Sequence, residues 1–201
     1  MAVNRVPVLK RCRSLGLDPI YLGIDKKSTR GAANGRRPAK KSEYALQLRE
    51  KQKAKFIYGV LEKPFHNYYE KAKKMKGMTG DNLMITLERR LDNVIFRAGL
   101  ARTRAEARQM IDHKFFTING KGVNIPSYLV NAGDVIEAKQ KSKEKAKARY
   151  EQILDVTGGR LVPGWLTSDQ ENLKVTVVEI PKRSDIDVPV DEMLIVELYS
   201  K

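Results

Sequence analysis

Residues 90–139, which read RLDNVIFRAGLARTRAEARQMIDHKFFTINGKGVNIPSYLVNAGDVIEAK, give the clearest indication of the fold. The first half of this stretch repeats with a helical period. Thr103 followed by Glu106 forms a capping box, in which each side chain satisfies an exposed backbone donor of a new helix. Ala107 and Ile111 then supply the buried face of that helix. We therefore expect a short helix to begin at this point.

The second half of the stretch alternates apolar and polar residues, as a half-buried strand does. Residues 116–118 alternate before Asn119-Gly120, a dipeptide typical of tight hairpin turns, and residues 123–125 alternate after it. A Gly-Asp turn then precedes another short strand at 135–136. The pattern predicts short helices packed on a small sheet.

Upstream of this stretch the chain reads as helical. Ser42 can cap a helix that runs to Gly59, a second helix begins near Pro64, and a third is predicted at 82–98. Aromatic residues at 65–69 in the second helix could stack on bases. At helical spacing, such residues form a core more often than a binding surface.

Downstream, Lys or Arg occupies every second position from Lys139 to Arg149, and the residues between them favour a solvated helix. This helix could contact RNA, or it could be an ordinary charged surface. Two strand-forming runs follow at 175–180 and 194–198, separated by a polar and acidic segment.

Charge is distributed unevenly along the 201 residues, whose net charge is +15. Residues 1–80 contain 20 Lys or Arg against 6 Asp or Glu, and residues 81–150 contain 14 against 8. Residues 151–201 contain 5 against 10. The basic front is expected to bind a polyanion or an anionic lipid surface. The acidic end suggests contact with a basic protein, although a solvated surface would have the same composition.

Residues 1–41 combine scattered Gly and Pro with basic clusters and read as an irregular arm. Such a segment buries little apolar surface and can order itself by placing its cations along a phosphate backbone. A flexible tail with no specific role is the alternative.

Three arginines, Arg102, Arg104 and Arg108, cluster at the start of the helix that Thr103 caps. Positive charge at this end opposes the helix macrodipole and does not stabilise the helix itself. A phosphate group bound from outside would explain the cluster, and a solvated surface is the alternative.

Several functional classes are disfavoured. The single cysteine, Cys12, excludes an internal disulfide, and together with His66 and His113 it forms no paired zinc-ligand motif. No metal and no cofactor are expected. No apolar run approaches the roughly 20 residues that cross a bilayer, and Lys10 interrupts any signal core, so a cytoplasmic protein is expected. His113 is expected to cover free carbonyls at a helix end rather than to act in catalysis, because no nucleophile or acidic partner is apparent locally. An enzyme is not expected.

Residues 90–139 resemble the S-four type RNA-binding module, which recurs in ribosomal proteins, pseudouridine synthases, some synthetases and a heat-shock protein. The flanks distinguish among these. Residues 42–72, SEYALQLREKQKAKFIYGVLEKPFHNYYEKA, and residues 183–201, RSDIDVPVDEMLIVELYSK, resemble the bacterial ribosomal S-four family. A modifying enzyme would need a further catalytic domain, and a free RNA chaperone would have no need of the long basic front.

The resemblance implies an α+β protein in four parts. Residues 1–41 would be the basic arm, 42–90 a helical rRNA-binding domain, and 91–150 the module, with two short helices on a small, mainly antiparallel sheet. Residues 151–201 would form an acidic segment that packs on the second domain and contacts a neighbouring ribosomal protein.

The resemblance also implies a function. The family's proteins are structural constituents of the small ribosomal subunit, and they bind the five-prime domain of its rRNA early and nucleate assembly of the subunit body. They lie at the mRNA entry channel beside two other ribosomal proteins and influence translational accuracy. The implied partners are therefore rRNA, mRNA and neighbouring ribosomal proteins.

The site residues are basic at the front and acidic at the end. Those expected to bind rRNA are Lys10, Arg11, Arg13, Arg36, Lys41, Arg49, Lys51, Lys53, Lys55, Arg89, Arg97, Arg102, Arg104, Arg108 and Lys114. Those expected near incoming mRNA are Arg37 and Lys40, which match family positions ahead of a Ser-acid-Tyr segment. Those expected at a protein interface are Asp185, Asp187, Asp191 and Glu192. Some relatives carry four zinc-binding cysteines, whereas this chain has Cys12 alone.

Overall fold

The computed structural model describes residues 6–26, 42–140, 151–157 and 160–200. The chain divides into two compact units, which are Met1–Leu83 with Val188–Lys201, and Met84–Asp187. We call these the first unit and the second unit. Helices occur in both, and the sheet lies in the second, so the α+β class predicted from the sequence is confirmed.

The first unit is helical. Its elements are α1 (Val8–Leu15), a 3-10 turn (Pro19–Leu22), α2 (Glu43–Tyr58), α3 (Glu62–Lys73), the first turns of α4 (Thr79–Glu88) and α7 (Glu192–Ser200). The start and end of α2 are as predicted. Ser42 accepts a hydrogen bond of 3.3 Å from the backbone N–H of Ala45, and Gly59 ends the helix in the left-handed conformation with φ of 58°.

Helix α1 occupies part of the segment predicted to be an irregular arm. Its residues Cys12 and Leu15 are buried, and the Arg49 guanidinium on α2 donates a 3.0 Å hydrogen bond to the Leu15 carbonyl. This tertiary contact, together with Gly16 as a C-cap, holds a helix that is too short to be stable alone. Residues 27–41 and the lysine-rich run at 141–150 lie outside the described residues.

The aromatic residues of α3 form core. Phe65, Tyr68 and Tyr69 are all buried, so base stacking is not open to them in this conformation. Tyr199 of α7 packs beside them, with its ring centroid 4.7 Å from that of Tyr69.

The run at 194–198 was predicted to be a strand, and this prediction was wrong, because it lies within α7. Asp191 caps the helix by accepting from the backbone N–H of Met193 at 3.0 Å, and Ile195 is fully buried. The helix packs against α2, where Gln47 donates to Glu197 at 3.1 Å. Residues 188–201 therefore belong to the first unit, whereas the sequence placed all of 151–201 on the second domain.

The second unit combines helices with the sheet. It holds the last residues of α4, α5 (Leu91–Arg97), α6 (Arg104–Asp112), β1 (Phe116–Ile118), β2 (Lys121–Gly122), β3 (Val135–Ala138), β4 (Leu166–Asp169), β5 (Lys174–Val177) and a 3-10 turn (Arg183–Asp185). Within the described residues the strand order is β2-β1-β3-β5-β4, with every neighbouring pair antiparallel. Ile136 is central, because it pairs with Ile118 on one side and Val175 on the other.

The single helix predicted at 82–98 is broken between α4 and α5. Arg90 is extended, with ψ of 136°, and the chain on either side of it pairs with a neighbouring loop. The Leu91 N–H donates to the Tyr128 carbonyl at 2.8 Å, and the Val130 N–H donates to the Arg89 carbonyl at 3.0 Å. The break comes from these long-range bonds, which leave no mark in the local sequence.

The predicted strands are largely present in the sheet, with shifted ends. Asn119 and Gly120 both have positive φ, as the predicted hairpin turn requires, but its second strand is Lys121–Gly122 rather than 123–125. The strand predicted at 175–180 ends at Val177, and β4 was not predicted. Among the described helices, none is long and apolar enough to cross a membrane.

Candidate nucleic-acid interface

Helix α1 presents two cations to solvent. Lys10 and Arg13 are exposed and form no ion pair with any described residue. Arg11 is turned toward α2, where its guanidinium donates to the Gln52 side chain at 3.1 Å. The predicted trio therefore contains two available cations and one that joins α1 to α2.

The lysines of α2 are engaged with carboxylates. Glu62 receives Lys51 at 2.9 Å and Lys55 at 2.6 Å, and Lys53 pairs with Glu50. Partial burial acts to raise the pKa of Glu62, but hydrogen bonds from Lys55, Lys51 and Tyr199 outweigh it and lower the pKa from 4.5 to about 2. A phosphate group at this position would have to compete with a bound carboxylate.

A second set of cations was missed by the sequence reasoning. Five lysines on and after α3 are exposed and form no ion pair with any described residue; they are Lys63, Lys71, Lys73, Lys74 and Lys76. The buried aromatic face of α3 leaves them on its solvent side. Four lysines within six positions were visible in the sequence, but that helix was interpreted through its aromatic residues alone.

In the second unit, Arg97 and Arg104 belong to an interior network. Arg97 contacts the buried Glu88 at 2.9 Å and Asp187 at 2.7 Å. Arg104 is 5% exposed, donates to the Asn93 side chain at 2.8 Å and lies with its Cζ 4.1 Å from the centroid of the Phe96 ring. We therefore correct the expectation for Arg104, because almost none of its surface can meet a phosphate.

Asp92 forms a second group of ion pairs in the same unit. Its carboxylate is 1% exposed and receives Arg108 at 2.6 Å and Arg90 at 2.7 Å. A buried carboxylate is stable only when such partners compensate its lost hydration. Arg89 is similarly committed, since it donates to the Val130 carbonyl at 2.9 Å and to Asn131 at 2.8 Å.

Arg102 and Lys114 are the predicted cations of the second unit that face solvent. The side chain of Arg102 is 47% exposed, and its hydrogen bond to Glu106 raises its pKa. Lys114 is exposed and unpaired among the described residues, at a positive φ of 57° between α6 and β1. The arginine cluster predicted at the start of α6 is thus divided into the exposed Arg102, the half-buried Arg108 and the buried Arg104.

The four acidic residues predicted at a protein interface each have a contact within the chain. Asp185 accepts from the backbone N–H of Lys182 at 2.8 Å, Asp187 pairs with Arg97, and Asp191 caps α7. Glu192 packs over Gly80, where an added Cβ would come within 2.7 Å of its side chain. The four predicted interface residues are divided between the two units, and Asp187 keeps 66% of its side chain exposed.

Four predicted residues cannot be located, two of them expected to bind rRNA and two expected near mRNA. Arg36, Arg37, Lys40 and Lys41 lie outside the described residues. Within the part of the chain that is described, no group of His, Cys, Asp and Glu could hold a metal ion.

Two family models match successive parts of the chain, and their boundary lies five residues after the boundary between the two units. The family described as "Ribosomal protein S4/S9 N-terminal domain" matches residues 4–88, and the one described as "S4 domain" matches residues 89–136. The "Small ribosomal subunit protein uS4" of Lachnospira eligens is 70% identical over 201 residues, and that of Agathobacter rectalis is 69% identical over 201 residues. That of Lachnoclostridium phytofermentans is 65% identical over 202 residues, and all of both chains is covered in each case. These matches show that the chain, with its exposed cations and its small antiparallel sheet, belongs to the uS4 family of small ribosomal subunit proteins.

Proposed function

We propose that this chain, a non-enzymatic constituent of the small ribosomal subunit that binds rRNA, is a primary binder of the five-prime domain of that rRNA. In this role it nucleates assembly of the subunit body in the cytoplasm. The observation that carries the proposal is a set of exposed cations that form no ion pair with any described residue and that lie within residues 1–80, where positive charge is in strong excess. Such a surface suits a folded polyanion better than it suits another protein.

The mechanism is phosphate neutralisation with recognition of RNA shape. Lysine and arginine side chains replace counterions along the backbone where rRNA helices meet, and contacts to base edges are few. The contacting residues proposed for the first unit are Lys10, Arg13, Lys63, Lys71, Lys73, Lys74 and Lys76, and for the second unit Arg102 and Lys114. Arg36 and Lys41 remain proposed from the sequence alone.

Paired cations have a different part in the mechanism. These cations each stabilise the unit in which they lie, and they add to the positive potential at its surface; they are Arg11, Arg49, Lys51, Lys53, Lys55, Arg89, Arg97 and Arg108. A phosphate can recruit one of them only by displacing its partner. These residues are also less exposed than Arg102, whose guanidinium contacts Glu106 but keeps about half of its surface in solvent, and they therefore contribute less to the affinity for rRNA than the contacting residues named above.

At the mRNA entry channel, we assign Arg37 and Lys40 to contacts with incoming mRNA. The support is their match to family positions and the basic character of residues 26–41. Asp185, Asp187, Asp191 and Glu192 are assigned to a contact with a neighbouring ribosomal protein that tunes accuracy. The exposure of Asp187 supports this contact, and its ion pair with Arg97 would be exchanged or shared there.

Footprinting on naked small-subunit rRNA tests the proposal most directly. Protection should concentrate in the five-prime domain and weaken steeply with salt, by roughly 0.7 to 0.9 in log affinity per contact for each unit of log salt concentration. An unrelated duplex of equal length is the control. Equal affinity for the two RNAs, or protection spread over the whole rRNA, would remove the claim of primary binding.

A further inference from the structure

The turn between α5 and α6 is stabilised by hydrogen bonds from side chains that follow residue 150 in the sequence. Five carbonyl groups in and beside this turn, those of Phe96, Ala98, Gly99, Ala101 and Arg102, each accept a hydrogen bond from Thr157, Arg160 or Ser168. Carbonyls at a helix C-terminus have no partner within the helix and are ordinarily satisfied by water or a glycine cap. Here, protein side chains take that role.

Arg160 makes most of these contacts. Its Nη1 donates to the Phe96 carbonyl at 2.8 Å and to the Ala101 carbonyl at 3.1 Å, while its Nη2 donates to the Arg102 carbonyl at 3.1 Å. Its Cζ lies 4.3 Å from the centroid of the Phe96 ring. A planar guanidinium with five donors in a fixed fork can serve three carbonyls at once, which a lysine ammonium on a flexible stem cannot do with the same geometry.

Thr157 and Ser168 complete the set. The buried hydroxyl of Thr157 lies 2.7 Å from the Gly99 carbonyl and 2.8 Å from the Ile153 carbonyl, so its one proton is shared between them. The Ser168 hydroxyl donates to the Ala98 carbonyl at 2.8 Å. Ser168 lies on β4, so the turn is connected to the edge of the sheet. We call Thr157, Arg160 and Ser168 the carbonyl clamp.

The turn separates a buried interior from an exposed cation. Ala98, Leu100 and Ala101 are fully buried, whereas the next residue, Arg102, extends its side chain into solvent. The clamp fixes the Arg102 carbonyl, and Glu106 fixes the Arg102 backbone N–H at 2.9 Å. The backbone of Arg102 is therefore held on both sides. Its guanidinium also donates to the Glu106 carboxylate at 3.1 Å and 3.3 Å, so backbone and side chain together limit the directions that the exposed part of the guanidinium can take.

We propose that the carbonyl clamp positions the α5–α6 turn, and through it the Arg102 guanidinium, for binding rRNA phosphates. The inference rests on the proposed function, because it assigns Arg102 to a phosphate contact. All three clamp residues lie outside residues 89–136, the part that matches the S4 domain. This chain thus completes its RNA-binding module with a segment that follows the module in sequence.

A double-mutant cycle in the full chain tests the positioning role. Arg160→Met should lower the affinity for naked small-subunit rRNA about threefold to tenfold, and it should have no further effect in an Arg102→Ala background. Arg160→Lys should lose as much affinity as Arg160→Met, because charge without the planar fork does not restore the contacts. Additive effects of Arg160→Met and Arg102→Ala, or full recovery by Arg160→Lys, would overturn the proposal.

Amide hydrogen exchange in the free protein gives a second readout. Arg160→Met, and the milder Thr157→Val and Ser168→Ala, should speed exchange at Gly99 and Leu100 while Ile136 in β3 stays protected. Lys174→Met, an equal charge loss at an exposed site in the same unit, should change neither exchange nor affinity. Unchanged exchange at the turn in all three clamp variants would overturn the clamp itself.

The two readouts separate the possible failures. Should the wild-type chain ignore rRNA, the proposed function fails and the positioning role fails with it, while faster exchange would still establish the clamp as a structural device. Should the wild type bind rRNA but the clamp variants exchange faster without losing affinity, the proposed function stands and the positioning role is overturned.

Discussion

The Tyr199 hydroxyl donates a 2.9 Å hydrogen bond to Glu62, which joins α7 to the start of α3. The same carboxylate receives Lys51 and Lys55 from α2, so three helices meet at one side chain. Burial and the bond to Glu62 raise the pKa of Tyr199, so the phenol keeps its proton as donor. Glu62 therefore connects three helices of the first unit through hydrogen bonds and ion pairs.

Removing the hydroxyl should weaken this junction. Tyr199→Phe is expected to lower the unfolding free energy of the first unit by about 1 kcal/mol, since a hydrogen bond to a charged group is lost at a half-exposed position. Denaturant unfolding followed by circular dichroism measures the change. Tyr44→Phe is the matched control, because Tyr44 is 59% exposed and should lose nothing. Equal destabilisation by the two variants would contradict the assignment.

The lowered pKa of Glu62 predicts a dependence of stability on pH. A carboxyl whose pKa falls from 4.5 in the unfolded chain to about 2 in the folded protein stabilises the fold above pH 4.5, and this contribution disappears as the pH falls toward 2. The difference in unfolding free energy between wild type and Glu62→Gln should be constant near neutrality and shrink between pH 4.5 and 2. A difference that grows as the pH falls would show the opposite linkage.

Arg102 and Arg104 should behave oppositely although they are two residues apart. Arg104→Ala leaves Asn93 without its donor in the interior and should cost about 2 kcal/mol of stability, with no change in the salt dependence of rRNA binding. Arg102→Ala should reduce the salt slope by roughly 0.7 to 0.9, and it should cost about 1 kcal/mol of stability because the nearly buried Glu106 loses its guanidinium partner. Thermal unfolding and filter binding across a salt series decide the matter. A lower slope for Arg104→Ala would restore it to the interface.

The lysines after α3 should contribute to RNA affinity through charge alone. Replacing Lys71, Lys73 and Lys74 together by Gln is expected to lower the salt slope by about 2 to 3, since three phosphate contacts would be lost, and to leave stability unchanged. The control is Lys174→Gln with Lys182→Gln, two exposed lysines within the net negative segment 151–201. The assignment fails if the triple variant keeps the wild-type slope.

Local sequence signals predicted the elements that local chemistry creates. Ser42 and Thr103 cap helices as their residue types suggest, and Asn119-Gly120 turns the hairpin. The break at Arg90 was not predictable, because it is made by bonds to residues about 40 positions later, and the apolar stripe of the helix continues through it. The run at 194–198 was ambiguous, since a short apolar segment suits either a strand or a buried helical face.

The sequence predicted that the candidate site is positively charged, but it did not predict which cations are available to a ligand. Composition identified the basic front. The sequence does not, however, distinguish Lys51 from Lys71, or Arg104 from Arg102, as candidates for binding a phosphate. They differ only in tertiary partners, because folding brings Glu62 to Lys51 and Asn93 to Arg104. Which cations remain available for a ligand is therefore a property of the folded chain.

Helix α7 covers α2, yet all of the second unit lies between them in the chain. During translation, α2 emerges long before Ile195 has been made, so the nascent first unit carries an uncovered apolar face while the second unit is still being synthesised. The second unit, continuous in sequence, can close first. The fold of the first unit is thus completed only once both of its separated segments have been produced.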